Sequence, residues 1–301
     1  MLPHDSVSTS TARSGSDPLD RRLSTPTARP VITFATDFGP AAPGVCRGVM
    51  YQIAPNALII DINHQIPRFS IRDGAGTLVF ALPHMPIGVH VAVVDPGVGT
   101  ERLGVALEVG RGDILVGPDN GLLMPAADRL GGVVRAHALE NHDLMLPVVS
   151  SSFHGRDIFA PMAAHLAMGT PIDAVGPAVD VASLVRLAAP KPRILEGVLE
   201  TEIVHVMIFG NVTFAASTAD LEAAIGLLEP GRRIVLEFAA HGAERAVTES
   251  TVWERTFGRV PLGSSLLMED SEGQVSLADN QGNAAERLHL SMDRPVRIRQ
   301  G

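Results

Sequence analysis

Asp95, Arg102 and His154 have the types and spacing that chemistry at one water molecule would require. Asp95 follows the apolar run His90-Val-Ala-Val-Val94 and opens Asp95-Pro-Gly-Val-Gly-Thr100, a loop whose two glycines let backbone approach a ligand closely. A loop that folds back pairs Arg102 with Asp95, and such a pair costs too much desolvation to be a device for stability alone. His154, in Phe153-His-Gly-Arg-Asp157, brings an imidazole that titrates near neutrality, with space beside it at Gly155. A lone histidine is more often a satisfied structural residue; the company of these three groups at strand and helix ends favours a site.

Two further loops belong with them. Asp37, in Thr36-Asp-Phe-Gly39, can accept both hydroxyls of a ribose, or simply form the turn before Gly39, and both readings stay open. Asp119-Asn-Gly121 reads more readily as a turn or N-cap for the segment starting at Leu122 than as a ligand contact. In open α/β sheets ligands sit at the carboxyl ends of strands, so these four loops are expected to line one mouth. No helix carries His-x-x-x-His or His-Glu-x-x-His, so neither a metal nor another cofactor is expected, although a metal-dependent hydrolase using Asp37, Asp95 and His154 remains a second reading.

The elements that must hold these loops are legible from Val31 to about Val185. Val31–Phe34, Leu58–Asp61, His90–Val94 and Ile114–Val116 read as buried strands, and Ile71–Leu82 and Arg156–Met168 as helices, the second stopped by Gly169. This alternation predicts an α/β domain with a mostly parallel, Rossmann-like sheet over residues 30–188. Ala188-Ala-Pro-Lys-Pro-Arg193 is a stiff connection. Beyond it, residues 194–301 predict a smaller β-rich domain: strands over Gly197–Phe209, Arg233–Ala239, Ala246–Val252 and Ser265–Ala278, a hairpin turn at Asp270-Ser-Glu-Gly273, and one clear helix N-capped by Thr218.

The 301 residues carry 24 Lys+Arg against 33 Asp+Glu, and this net charge of -9 would repel a phosphate backbone, so no nucleic-acid partner is expected. The single cysteine, Cys46, excludes an internal disulfide and fits a reducing cytoplasm. Residues 1–29 read as a disordered tail without the apolar core of a signal peptide, and no apolar stretch is long enough for a membrane helix, so no membrane is expected. Trp253 and Tyr51 read as packing residues and Cys46 as a small buried hydrophobe.

Six blocks in order, Thr36-Asp-Phe-Gly39, Val93-Val-Asp-Pro-Gly-Val-Gly-Thr-Glu-Arg102, Pro118-Asp-Asn-Gly-Leu-Leu123, Phe153-His-Gly-Arg-Asp-Ile-Phe159, Phe209-Gly-Asn211 and Asn280-Gln-Gly-Asn-Ala-Ala285, resemble the S-adenosyl-L-methionine hydroxide adenosyltransferases, relatives of the fluorinase and chlorinase. The resemblance runs from about Val31 to Arg299. It implies an α/β N-terminal domain, a smaller β-barrel-like C-terminal domain, and a homotrimer with active sites between subunits. It implies hydrolysis of S-adenosyl-L-methionine to adenosine and L-methionine by in-line displacement at C5', with Asp95, Arg102 and His154 catalytic. On the same basis Asp37 would bind ribose, Phe69 and Phe153 would flank the substrate, and Asn211, Phe257, Ser271, Ser276 and Ala278 would bind adenine and methionine. A non-catalytic adenosine-binding or sulfonium-binding protein is the remaining alternative.

This chain departs from the family pattern at Met207, where a carboxylate usually contacts the substrate ammonium, at Phe214-Ala215, usually Thr-Asn, and after Gly39, where the segment is shortened. The ammonium would then need another acceptor, such as a backbone carbonyl or Glu269, or the substrate would lack it.

Overall fold

The computed structural model describes residues 29–188 and 190–301; the expected tail lies outside them apart from Arg29. The first half forms a six-stranded sheet, ordered β2-β1-β3-β5-β4-β6, from β1 (Val31–Thr36), β2 (Leu58–Asn63), β3 (Val89–Val93), β4 (Gly104–Val109), β5 (Ile114–Pro118) and β6 (Val133–Ala138). β1 runs parallel to β2 and β3, and β3 to β5, whereas β4 is antiparallel to β5 and β6. The mostly parallel sheet is therefore as predicted. β3 is buried at all five positions, as a central parallel strand must be, and its one polar residue, His90, is held by Thr33 Oγ1 and Asp113 Oδ1, each 2.9 Å away.

Helices α1 (Ala42–Ile53) and α4 (Ala160–Ala167) pack together over one apolar layer that includes Phe34, Cys46, Val91 and Phe159. On another, α2 (Ile71–Ala81) packs with α3 (Met124–Arg129) over Ala35, Ala92, Val105 and Leu122. Alternate residues of β1 enter different layers, the period-two alternation of a strand covered on both faces.

The second half curls eight strands into a nearly closed barrel: β7 (Arg193–Leu195), β8 (Val198–Val206), β9 (Val212–Ser217), β10 (Arg233–Phe238), β11 (Val247–Val252), β12 (Ser265–Glu269), β13 (Gln274–Asp279) and β14 (Pro295–Gln300). The order is β11-β10-β14-β8-β9-β13-β12, with β7 on β8, and the ends approach where Glu254 N–H donates to Leu267 O at 2.9 Å. Helices α5 (Thr218–Ile225) and α6 (Ala284–Leu288) accompany it.

Three readings need correction. The N-cap of α5 is Ser217, whose hydroxyl accepts the Asp220 N–H while the Asp220 carboxylate returns a bond to Ser217 N–H; Thr218 is already helical. The helix expected from Arg156 begins as a π-helical turn over Gly155–Phe159. Tyr51 is 43% exposed and does not pack in the core, whereas Trp253 and Cys46 are buried.

Candidate active site

The predicted Asp–Arg pair forms because two short turns reverse the chain after β3. Val98 N–H donates to Asp95 O at 3.2 Å and Thr100 N–H to Gly97 O at 3.1 Å, which returns Arg102 to Asp95. Arg102 Nε lies 3.0 and 2.9 Å from Asp95 Oδ1 and Oδ2, and Nη2 also donates to Oδ2. The carboxylate is 4% exposed and the guanidinium 12%, with the guanidinium carbon 5.2 Å from the centre of the Phe159 ring. From the loop after β5, Asn120 Nδ2 donates to Val94 O at 2.8 Å and fixes the backbone immediately before Asp95.

His154 joins from the opposite loop, its Nδ1 3.0 Å from Arg102 Nη2. A guanidinium only donates, so Nδ1 presents its lone pair and the neutral ring carries its proton on Nε2. Burial, then the Arg102 charge, hold the His154 pKa below its ordinary value, against opposing pulls from Asp95, Asp157 and the Ser150 main chain. Among the described residues, Arg102 Nη1 has no hydrogen-bond partner.

Two glycines allow the close fit. A side chain at Gly99, which sits at φ +78°, would strike the Ser151 carbonyl, and one at Gly155 would lie 2.7 Å from the Phe38 ring. Phe38 meets Phe153 edge-on, ring centres 5.6 Å apart. Asp37, on the neighbouring strand end, accepts the Phe69 N–H at 3.0 Å on Oδ2. Phe69 is left at φ +66° with its ring 69% exposed. Of the two readings for the 119–121 loop, the turn forms at Asn120, which accepts the Leu122 N–H at 3.2 Å, whereas Asp119 accepts the Val185 N–H at 2.9 Å.

The remaining candidates lie in the barrel. Met207 to Gly210 make a tight turn, with Gly210 N–H on Met207 O and Met207 N–H on Asn211 O, both 2.8 Å. This projects Ile208 and Phe209 outward, 90% and 74% exposed. Phe257 begins a single 3-10 turn, and Ser271 is exposed in the expected hairpin turn. Ser276 and Ala278 are buried, with Ser276 Oγ donating to Val212 O at 3.1 Å. Among the described residues, no hydrogen bond or ion pair joins Asp95, Arg102 or His154 to Asn211, Phe257, Ser271, Ser276 or Ala278. Phe214 is absorbed by the barrel core, 6.2 Å from Phe238, and Glu269 is exposed at the end of β12. Among the described residues, no three His, Cys, Asp or Glu side chains are gathered so as to hold a metal ion.

Sequence reasoning passed over the supports. Thr36 Oγ1, which accepts the Phe38 N–H at 3.2 Å, lies 2.9 Å from His64 Nδ1, and Phe159 lies under Arg102. The signal for Phe159 was its place five residues after His154 in a helical stripe; nothing in the spacing of Thr36 and His64 announces their contact.

Residues 32–176 match the model of the SAM hydroxide adenosyltransferase N-terminal domain and residues 201–297 that of its C-terminal domain. The chain is 44% identical over 274 residues to an (R)-S-adenosyl-L-methionine hydrolase of Salinispora tropica, covering 90% of this chain and 98% of that protein. It is 31% identical over 300 residues to a fluorinase of Actinoplanes sp., covering 89% and 97%. A crystal structure of an uncharacterized conserved protein from Thermotoga maritima superposes with a TM-score of 0.78 at 32% identity, covering 89% of this chain and all of that one.

Proposed function

We propose that this chain, which belongs to the SAM hydroxide adenosyltransferase family, hydrolyses S-adenosyl-L-methionine to adenosine and L-methionine. The observation that carries the reading is the placement of Arg102, one guanidinium that contacts both Asp95 and His154 and keeps Nη1 without a hydrogen-bond partner among the described residues.

The sulfonium is already a good leaving group, so the task is to place water in line with the C5'–S bond. Arg102 Nη1 holds that water and stabilises the charge that grows on its oxygen. As the C5'–O bond forms, the C5'–S electron pair passes to sulfur, leaving the neutral thioether of methionine. Asp95 balances the guanidinium near the cationic sulfonium and takes the proton the water gives up. Because Nδ1 of His154 is occupied by Arg102, the histidine orients and is not the base. Proton transfer of this kind contributes about 10²- to 10⁴-fold, the rest coming from alignment and charge. Asp37 would hold the ribose, with Phe69 and Phe153 flanking the nucleoside.

Residues 30–188 and 194–301 are read as two domains, and the assembly as a homotrimer in which Asn211, Phe257, Ser271, Ser276 and Ala278 of one copy complete the mouth of the next. The exposed Phe69, Ile208 and Phe209 rings and side chains support such a contact. No described helix is long and apolar enough to cross a membrane, and a cytoplasmic location fits the lone buried Cys46. The relatives' name specifies the (R) epimer, and the same sulfonium configuration is proposed here.

The test supplies each sulfonium epimer separately, with and without a strong chelator, and follows adenosine and methionine by chromatography. Equimolar products from the (R) epimer, undiminished by chelator, are expected. Saturable binding with no adenosine from either epimer would sink the reading in favour of a binding protein, and loss of product with chelator would favour a metal enzyme.

A further inference from the structure

Among the described residues, Asp157 is a wholly buried carboxylate beside this site that does not touch the Asp95–Arg102 pair. Its Oδ2 accepts the Ser150 N–H at 2.9 Å, and Arg156 occupies both oxygens, Nε to Oδ1 at 2.6 Å and Nη2 to Oδ2 at 3.1 Å. Its own carbonyl accepts the Leu146 N–H at 3.0 Å. Both ends of the irregular segment from Leu146 to Ser150 therefore hang on one residue. Ser150 in turn receives the Phe153 N–H on Oγ at 3.1 Å, and its main chain faces the His154 imidazole. Next to it, the Ser151 carbonyl abuts Gly99 in the loop that carries Arg102.

The same ion pair reaches the aromatic wall. The Arg156 guanidinium stands 5.0 Å from the centre of the Phe153 ring, which meets Phe38, the residue after Asp37. The π-helical turn over Gly155–Phe159 sets the register, with Arg156 and Asp157 N–H both on Phe153 O at 3.1 Å. Such turns insert one residue into a helix and re-aim its side chains. A buried ion pair that served the fold alone could be replaced, both partners together, by apolar side chains at little cost, whereas one that ties several segments together also sets geometry.

We infer that Asp157 is a positioning residue, which through Ser150 and Arg156 sets the His154 imidazole against Arg102 and the Phe153 ring against Phe38. The inference rests on the proposed hydrolysis only for its kinetic consequence. The imidazole of His154 needs its lone pair within about 3 Å of a guanidinium N–H, and a displacement on the order of 1 Å at an aligned centre costs up to about 10²-fold in rate.

The test compares wild type with Asp157→Asn and Ser150→Ala in kinetics with (R)-S-adenosyl-L-methionine and in nitrogen-15 NMR titration of His154. Asp157→Asn keeps the shape and loses the charge. We expect kcat to fall about tenfold to a hundredfold with KM changed less than threefold, and the acid limb to move to lower pH, because the carboxylate favours protonated His154. Ser150→Ala, which keeps the ion pair, should show a smaller change in the same direction, and it decides the question if Asp157→Asn does not fold. The spectra should show wild-type His154 protonated on Nε2 and both tautomers populated in the variants. A fall in stability with unchanged kcat, an effect on KM alone, or an unaltered His154 titration would overturn the inference. If wild type releases no adenosine, the proposed hydrolysis fails, while the titration still judges Asp157.

Discussion

Arg102 Nη2 lies 3.0 Å from His154 Nδ1, so the imidazole gives a lone pair to a cation and can do so only while Nδ1 is unprotonated. On the proposed mechanism, this contact makes the histidine a device for aiming the guanidinium and not the base.

The contact has a pH signature. Burial and the Arg102 charge depress the His154 pKa below its ordinary value of 6.5, so the Arg102 contact is intact at neutrality and breaks as pH falls past the depressed value. A plot of kcat against pH should be flat near neutrality and fall on the acid side, with its midpoint below 6.5. His154→Gln should be slower at every pH and lack that limb. A wild-type limb centred at or above 6.5 would contradict the assignment.

Replacing Asp95 separates charge from shape. Asp95→Ala leaves the Arg102 guanidinium, 12% exposed, without its counter-ion, which should cost about 3 kcal/mol in urea unfolding and abolish turnover. Asp95→Asn, which keeps one acceptor, should lose less stability and still lose turnover by about 10²-fold or more. Turnover near wild type in the asparagine variant would remove Asp95 from the role of proton acceptor.

The sheet and the pair were legible in the sequence because both follow local rules: short runs rich in Val, Ile and Leu at β3 and β5, and a glycine-rich reversal between Asp95 and Arg102. Helix α1 was not, since Pro43, Gly44 and Gly48 interrupt its helical pattern, although Pro43 sits in the first turn where its missing N–H costs nothing. Strands β4 and β9 were missed for a similar reason; each leaves a glycine-bearing or polar loop and alternates weakly. The contacts of Thr36 with His64 and Asp157 with Ser150 depend on packing between segments, or on a π-helical register that no 3.6-residue pattern encodes. The substrate side of the barrel was read from resemblance alone.

A second pH effect belongs to the fold. His90, 1% exposed between Thr33 and Asp113, has its pKa lowered, first by burial, and His154 and His165 are lowered for the same leading reason. In the unfolded chain these imidazoles take up protons near 6.5, whereas in the fold they resist, so stability is full above that value and declines as pH falls below it. The urea midpoint should drop between about pH 6.5 and 5, and His90→Gln should flatten part of the slope. A midpoint independent of pH across that window would show that these rings charge freely in the fold.

The exposed Phe209 offers a test of assembly. If its ring, 74% exposed in one chain, is covered by a second copy, Phe209→Asp forfeits about 2 kcal/mol of burial per contact and places a charge in the seam. Sedimentation should then show wild type as a trimer and the variant shifted to monomer, with activity lost most at low protein concentration. A variant that sediments as wild type places Phe209 outside the interface.

Met207 bears on how the amino-acid end of the substrate is held. The side chain is 37% exposed at the rim of the turn before Asn211, and its own backbone is engaged with Asn211 and Gly210, so a carboxylate here could enter without breaking a main-chain bond. If this rim faces the substrate ammonium, Met207→Asp adds a charge-assisted hydrogen bond, about 1.5 kcal/mol or more, and KM for (R)-S-adenosyl-L-methionine should fall about tenfold with kcat little changed. A substrate analogue lacking the ammonium should lose that advantage entirely, which distinguishes a direct contact from a general change in the turn. Equal gains for both substrates, or none for either, would place the ammonium away from this rim and leave its recognition to other groups.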